Sequence, residues 1–290
     1  MPVLKDRVGL GWRPRLAAGI LSNLDKIDLV EVIADDYFNA PRQERRALRT
    51  LAAQTPVTLH GVSLGLASST AVEPKRLDRM ARLCAEVEPV SWSEHLAFVR
   101  GGGVEIGHLA APPRTAATID GALANLARAR RIVGCAPQVE NVATLIDPPG
   151  SDRDEATWVS EIIRGSNCDL LLDLHNLYAN ALNFNFDPGE FIARIPTERV
   201  AAIHLAGGKW IGAEGSRRLL DDHLHDVPEP VYELLAETAA RTPRSLTVIL
   251  ERDGDFPAIE CLLEQLDLAR AALSRGRARL IAESEEEAAA

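Results

Sequence analysis

The sequence predicts a single closed (β/α)8 barrel, and three observations carry that prediction. Eight short runs of β-branched or apolar residues alternate with longer stretches of helical period, the pattern of a parallel sheet wrapped by helices. A chain of 290 residues with 46% hydrophobic composition is large enough for one core of barrel size. No repeat, linker or low-complexity block interrupts it before the acidic end, so all eight units fall in one domain, residues 1–281, followed by a disordered acidic tail over 282–290.

In order, the strand candidates run near Val8 to Leu10, Leu29 to Ile33, Val57 to Leu59, Val90 to Ser93, Gln138 to Val139, Leu170 to Leu172, Val200 to Ile203 and Leu246 to Leu250. Between them, Leu77, Met80, Cys84 and Val87, and likewise Ile119, Leu123 and Leu126, recur at spacings of three and four, marking the core faces of amphipathic helices. Pro41, Pro74 and Pro188 stand where first helical turns begin, Asp187 precedes the last as an N-cap, and Gly165 reads as a helix stop. The competing open, doubly wound sheet lacks its signature: no G-x-G-x-x-G follows the first strand, and the Gly101 to Gly103 run has no helix opening behind it.

A formal net charge of -10 repels phosphate backbones, which weighs against nucleic acid as a partner. No run approaches the roughly 20 apolar residues of a membrane span, and the first residues lack a signal-peptide pattern, so a cytoplasmic protein without membrane partners is expected. The four cysteines lie far apart without a C-x-x-C pair and are expected as buried free thiols.

The chemistry gathers at the strand ends. His60 closes the third strand, Glu94 and His95 the fourth, Glu140 the fifth, and Asp173 with His175 and Asn176 the sixth. His204 closes the seventh, Asp221, His223 and His225 follow in its loop, and Glu251 closes the eighth. In such a barrel these points converge on the C-terminal mouth. A lone histidine beside an apolar strand is usually a hydrogen-bonded core residue. Six of the seven histidines at the same end of several elements, with carboxylates between them, instead indicate a site for borderline divalent metals. The donors exceed what one ion can use, so two or three ions sharing a bridging carboxylate, Glu140, are expected.

Other positions are assigned outside this set. His108 is placed in a loop or short hairpin, and Glu31 and Asp35 fit either the mouth or an exposed acidic patch. Glu94 is assigned to orient His95, and Arg217 and Arg218 form a solvated pair near the mouth. The same donor set also suits a zinc hydrolase or phosphodiesterase with two or three ions. A sugar isomerase would want more carboxylates and a lysine, and a scaffold has no use for so many ligands.

The motifs HGVSLGL from His60, SEHLAF from Ser93, ENV from Glu140, LLDLHNLY from Leu171, FDP from Phe186, IHLAG from Ile203, HDVPEPV from His225 and ILERD from Ile249 occur in this order. Together they resemble the multinuclear non-heme iron-dependent oxidative enzymes, which include the methanobactin oxazolone-forming and cysteine β-carbon-excising enzymes. The similarity runs from about Val8 to about Pro257. It implies a barrel of the xylose-isomerase-like type with His60, His95, Glu140, Asp173, Asn176, His204, Asp221, His223 and Glu251 as metal ligands. It further implies two or three irons of mixed Fe(II)/Fe(III) state, dioxygen as co-substrate, a precursor peptide substrate oxidised at cysteine or another residue, and a separate protein that binds the peptide leader.

Three departures stand out: His175-Asn176 where Asn-Asn is common, Phe184-Asn185 where His-Gly is common, and Gly208-Lys209 after IHLAG in place of a further histidine. All three positions are expected to line the pocket. His175 and His225 are taken as catalytic rather than ligating. For His175 the reason is strand alternation, which would place it on the same face as Asp173 and let it donate a proton.

Overall fold

The computed structural model describes residues 4–289. In chain order the first elements are β1 (Arg7–Gly11), α1 (Ala17–Leu21), β2 (Val30–Ile33), α2 (Arg42–Ala52), β3 (Val57–Gly61), α3 (Pro74–Val87) and β4 (Ser91–His95). A hairpin of β5 (Phe98–Gly101) and β6 (Val104–Ala110) follows, then α4 (Ala116–Val133), β7 (Gln138–Glu140), α5 (Glu155–Ser166), β8 (Asp169–Asp173), α6 (Leu174–Phe184) and α7 (Pro188–Arg194). The remaining elements are β9 (Val200–Leu205), a second hairpin of β10 (Gly208–Ile211) and β11 (Arg218–Asp221), α8 (Glu229–Arg241), β12 (Thr247–Leu250) and α9 (Ile259–Ala289).

Eight strands close the barrel in the order β1, β2, β3, β4, β7, β8, β9, β12, and β12 pairs back onto β1. All eight candidate runs became barrel strands. The strands are buried on both faces, which is why they read as near-continuous apolar runs rather than as alternating ones. Their parallel register sets Asp173 beside His204 and His95 beside Glu140. The polar residues that end each strand are thereby delivered to one rim.

Several local expectations are met and some are corrected. Asp187 caps α7, its carboxylate accepting from the Gly189 and Glu190 amides, and Pro74 opens α3. Pro41 sits one residue earlier than expected, at the N-cap of α2. Gly165 does not stop α5; Asn167 does, in the left-handed conformation at φ 54. Gly165 is a packing residue, since a Cβ there would stand 3.0 Å from the Leu123 side chain on α4. The acidic stretch expected as a disordered tail continues α9 as helix to Ala289, in keeping with the high helix propensity of Ala and Glu.

The cysteines are free, but Cys135 and Cys261 are exposed rather than buried. Among the described residues no helix is long and apolar enough to cross a membrane.

Candidate metal centre

Glu140 stands at the middle of the mouth. Its Oε2 lies 3.5 Å from His60 Nε2 and 3.3 Å from His95 Nε2, while its Oε1 lies 3.2 Å from His204 Nδ1. Each histidine is aimed by its other nitrogen or its strand. His60 Nδ1 meets Ser93 Oγ at 2.8 Å, and His95 Nδ1 donates to the Gly61 carbonyl at 3.1 Å, so both rings present Nε2 to the centre. Glu94 Oε1 lies 3.6 Å from His95 Nδ1, longer than a hydrogen bond, and the two Glu94 oxygens accept the backbone N–H groups of His95 and Leu64.

His204 is fully buried between three carboxylates. Its Nδ1 is 3.1 Å from Glu251 Oε2 as well as close to Glu140, and its Nε2 is 2.9 Å from Glu31 Oε1 without hydrogen-bond geometry. Glu31 was the residue underestimated in the sequence. It sits inside β2, only 3% exposed, and points into the barrel. A carboxylate within the apolar run VEVI, where burial demands a partner, was the signal available.

Asp173 ends β8 and also begins α6. One of its oxygens caps the Asn176 amide at 2.7 Å, and the other, Oδ2, is buried without a partner. Asn176 donates its side-chain amide to the Asn141 carbonyl and leaves Oδ1 buried and unpartnered beside it. Glu251 follows β12, and its Oε2 also approaches His223 Nδ1 at 3.6 Å. His223, held at φ 54, contacts Asp221 at 2.8 Å and Asp253 at 3.2 Å.

Two expected catalytic histidines lie elsewhere. The helix α6 starts directly after Asp173, so strand alternation does not extend to His175; it falls in the first helical turn, completely buried. Its Nδ1 bonds Asp221 Oδ1 at 2.6 Å, and its Nε2 is buried without a hydrogen-bond partner. Gly208 makes room for this ring, since a Cβ there would come within 2.6 Å of His175 Cε1. His225 is turned outward at the rim, its side chain 47% exposed and its Nδ1 2.9 Å from Asp222 Oδ1. The left-handed backbone at His223 redirects the chain, so two histidines close in sequence face different ways.

The electrostatics describe a site built around positive charge. Burial pushes the Asp173 carboxyl well above the usual carboxylate range, helped by the neighbouring Asp221 and Glu140 charges. Burial also opposes ionisation of Glu251 and Asp221. The charges of His204 and His223 nevertheless hold Glu251 well below its ordinary value, and His223 with His175 holds Asp221 at about 2. For His95, burial disfavours the charged ring, yet Glu140 and Glu94 outweigh it and lift the ring to about 9.

The donor set fits metal ions. Glu140 Oε2, Asp173 Oδ2, Asn176 Oδ1 and His204 Nε2 are all buried and lack hydrogen-bond partners, a cost of about 1–3 kcal/mol each unless something else binds them. Three groups each gather ligand atoms within 4.8 Å: Glu31, His60 and His204; His60, His95 and Glu140; and Glu140, Asp173, His204 and Glu251. They share His60, His204 and Glu140, so their centres adjoin. Asp221 and His223 border them through Glu251, and Asn176 through Asp173.

Above the cluster opens a cavity of about 460 Å3. Glu140, His95, Asn176, Asp221 and His223 reach it from below, and its walls are apolar: Leu109 on β6 and Ala111 after it, Val142 and Leu145 after β7, and Leu219 on β11. An asparagine ladder on α6 ties these walls together. Asn180 donates to the Val142 carbonyl and accepts from the Thr144 amide; Asn183 exchanges two hydrogen bonds with the Leu219 backbone, at 3.0 and 2.8 Å. His108, assigned outside the site from its sequence context, is on the β5–β6 hairpin as expected but lines this cavity.

A parallel barrel with buried histidines and carboxylates at its C-terminal mouth defines a class of enzyme barrels. The particular family follows from comparison: the model described as "RiPP precursor modification enzyme MbnB/TglH/ChrH" matches residues 7–274, and the chain belongs to this family of modification enzymes. A UPF0276 protein of Caulobacter vibrioides is 33% identical over 273 residues, covering 94% of this chain and 96% of that protein. A UPF0276 protein of Streptomyces avermitilis is 34% identical over 278 residues, covering 93% of this chain, which spans 56% of that protein's length. Among solved structures, an L-ribulose 3-epimerase has a TM-score of 0.60 at 14% identity, with 97% of each chain covered, and a D-psicose 3-epimerase has a TM-score of 0.58 at 11% identity, covering 94% of this chain and 99% of that one. At such identities these neighbours share the fold.

Proposed function

We propose that this chain is an iron- and dioxygen-dependent enzyme that oxidatively modifies a residue, cysteine or another, of a ribosomally made precursor peptide presented by a separate leader-binding protein. The family match supports precursor modification. The observation that carries the metal reading is Glu140, which faces three histidines and keeps an unpartnered buried oxygen.

His60, His95, Glu140, Asp173, Asn176, His204 and Glu251 would hold two or three iron ions, with Glu31 added by the structure and Asp221 and His223 at the cavity side. When bound, the ions supply oxygen activation and a seat for a substrate thiolate or carboxylate. The rest belongs to the chain. Ser93 and the Gly61 carbonyl fix the ring orientations of His60 and His95. His175 holds Asp221 by Oδ1, which leaves Asp221 Oδ2 on His223 Nε2 at the cavity. The apolar walls exclude water from the reacting residue.

Elemental analysis after anaerobic iron reconstitution tests the reading. More than one iron per chain, with peptide-dependent oxygen uptake, is expected. One tightly bound zinc with negligible iron would overturn it in favour of a hydrolase or phosphodiesterase.

A further inference from the structure

We infer that the cavity over the cluster receives an extended peptide segment, apolar on both sides of the reacting residue, docked along the free edge of β6. The inference rests on the peptide-modifying reading above and adds the form and chemistry of the substrate segment.

β6 is seven residues long and pairs only with the four-residue β5. Among the described residues no backbone hydrogen bond reaches it from outside the hairpin, so its second edge offers N–H and C=O groups to another strand. Exposed edges are usually blunted by charge or proline. Here the one charged residue, Glu105, turns to Arg76 and Arg100, while its neighbours Val104 and Ile106 stand 68% and 47% exposed. Across the cavity Leu145 and Ile146 are also exposed, Ile146 to 73%. Large apolar side chains left in water, Val104 and Ile106 on the strand that leads to the cavity and Leu145 and Ile146 on its wall, mark a binding surface.

The edge leads to the chemistry. The last residues of β6, His108 to Ala110, form a wall of the cavity whose floor is Glu140 and His223. A segment paired to β6 therefore runs from solvent to the cluster. The walls select what flanks the reacting residue: apart from His108 and Thr144, whose hydroxyl donates to the Ile146 carbonyl, they are apolar, and Leu109, Val142, Leu145, Pro148 and Leu219 provide no side-chain donors. Sugar hydroxyls or phosphate oxygens would lie unpartnered against them, whereas valine or leucine side chains would be buried there. The volume of about 460 Å3 is in the range of pockets that enclose a small ligand, enough for one residue and its flanks rather than a folded domain.

The test uses the iron-loaded protein under anaerobic conditions and two blocked synthetic heptapeptides with a central cysteine, one flanked by valine and leucine, the other by aspartate and serine. Calorimetry is expected to show the apolar peptide binding at least tenfold more tightly. It should also slow amide hydrogen exchange at residues 104–110 several-fold. Ile106→Asp and Ile146→Asp change exposed positions and should each weaken this binding about tenfold without changing iron content. Equal binding of the two peptides, absence of binding, or unaltered exchange at 104–110 would overturn the inference. Iron is measured on the same samples. A chain that binds the apolar peptide as described but holds no iron defeats the metal reading and leaves this one standing.

Discussion

The two ends of the barrel are built from the same strands and obey opposite rules. At the N-terminal end lies the larger hollow, about 900 Å3, bordered by Lys5, Arg7, Glu88, Asp169, Arg199 and Arg244. Its charges are partly solvated, and its acid Asp169 takes Arg199 at 3.2 Å and Arg244 at 3.0 Å. At the C-terminal mouth the hollow is half that volume, yet the acids are buried, outnumber their partners and leave several oxygens without a hydrogen bond. The difference teaches that uncompensated burial, which marks a candidate site, falls at the smaller hollow, so cavity size alone would point to the other end.

The comparison can be broken from either end. The largest effect is expected at Glu140. Glu140→Gln should lose more than one metal equivalent and at least about a hundredfold in activity with an unchanged circular dichroism spectrum, because residues that merely orient ligands already cost about 10–100-fold. Full metal content and activity would rule out a bridging role.

His175→Ala should keep its iron but turn over about tenfold more slowly, or uncouple oxygen use from product, because Asp221 loses its 2.6 Å partner. Metal content and oxygen consumption on one sample decide this: a lost iron equivalent shows that Asp221 needs His175 to hold metal, and unchanged turnover removes His175 from the mechanism.

Asn183→Ala strips both hydrogen bonds from the Leu219 backbone. A loss of about 1–3 kcal/mol in denaturant unfolding is expected, with a several-fold fall in kcat/KM as the cavity wall loosens. An unchanged kcat/KM would separate the wall from substrate binding.

Asp169→Asn, at the opposite end, should leave turnover and metal content untouched and change stability by no more than about 1 kcal/mol. A loss of activity there would dissolve the contrast between the two ends.

The smallest effect concerns Cys84, whose thiol burial pushes up to about 12. At pH 8 it should react with a thiol reagent more slowly than the exposed Cys135 and Cys261. Equal labelling rates would contradict that burial.

Much of this was legible in the sequence because barrel strands announce themselves as apolar runs and their C-terminal neighbours are the site. His60, His95, Glu140, Asp173, His204 and Glu251 were all found this way, and the structure brings them together. What was not legible depends on where one element gives way to the next. Asp173 is at once a strand end and a helix cap, so counting by twos past it misplaced His175. The left-handed turn at His223 sent His225 outward. Glu31 lay inside the Leu29 to Ile33 run, but a near-continuous apolar strand does not say which face a residue takes, and only the closed barrel shows that it points inward against His204. His108 reached the cavity through a hairpin whose position over the mouth no local pattern encodes.

The central claim is that the mouth holds adjacent metal ions joined through Glu140. Mössbauer and electron paramagnetic resonance spectra of protein loaded anaerobically with iron-57 and then partly oxidised test it most directly. The account predicts exchange-coupled iron in the native chain and its disappearance in Glu140→Gln. Spectra showing only isolated, uncoupled iron at one equivalent or less per native chain would contradict it.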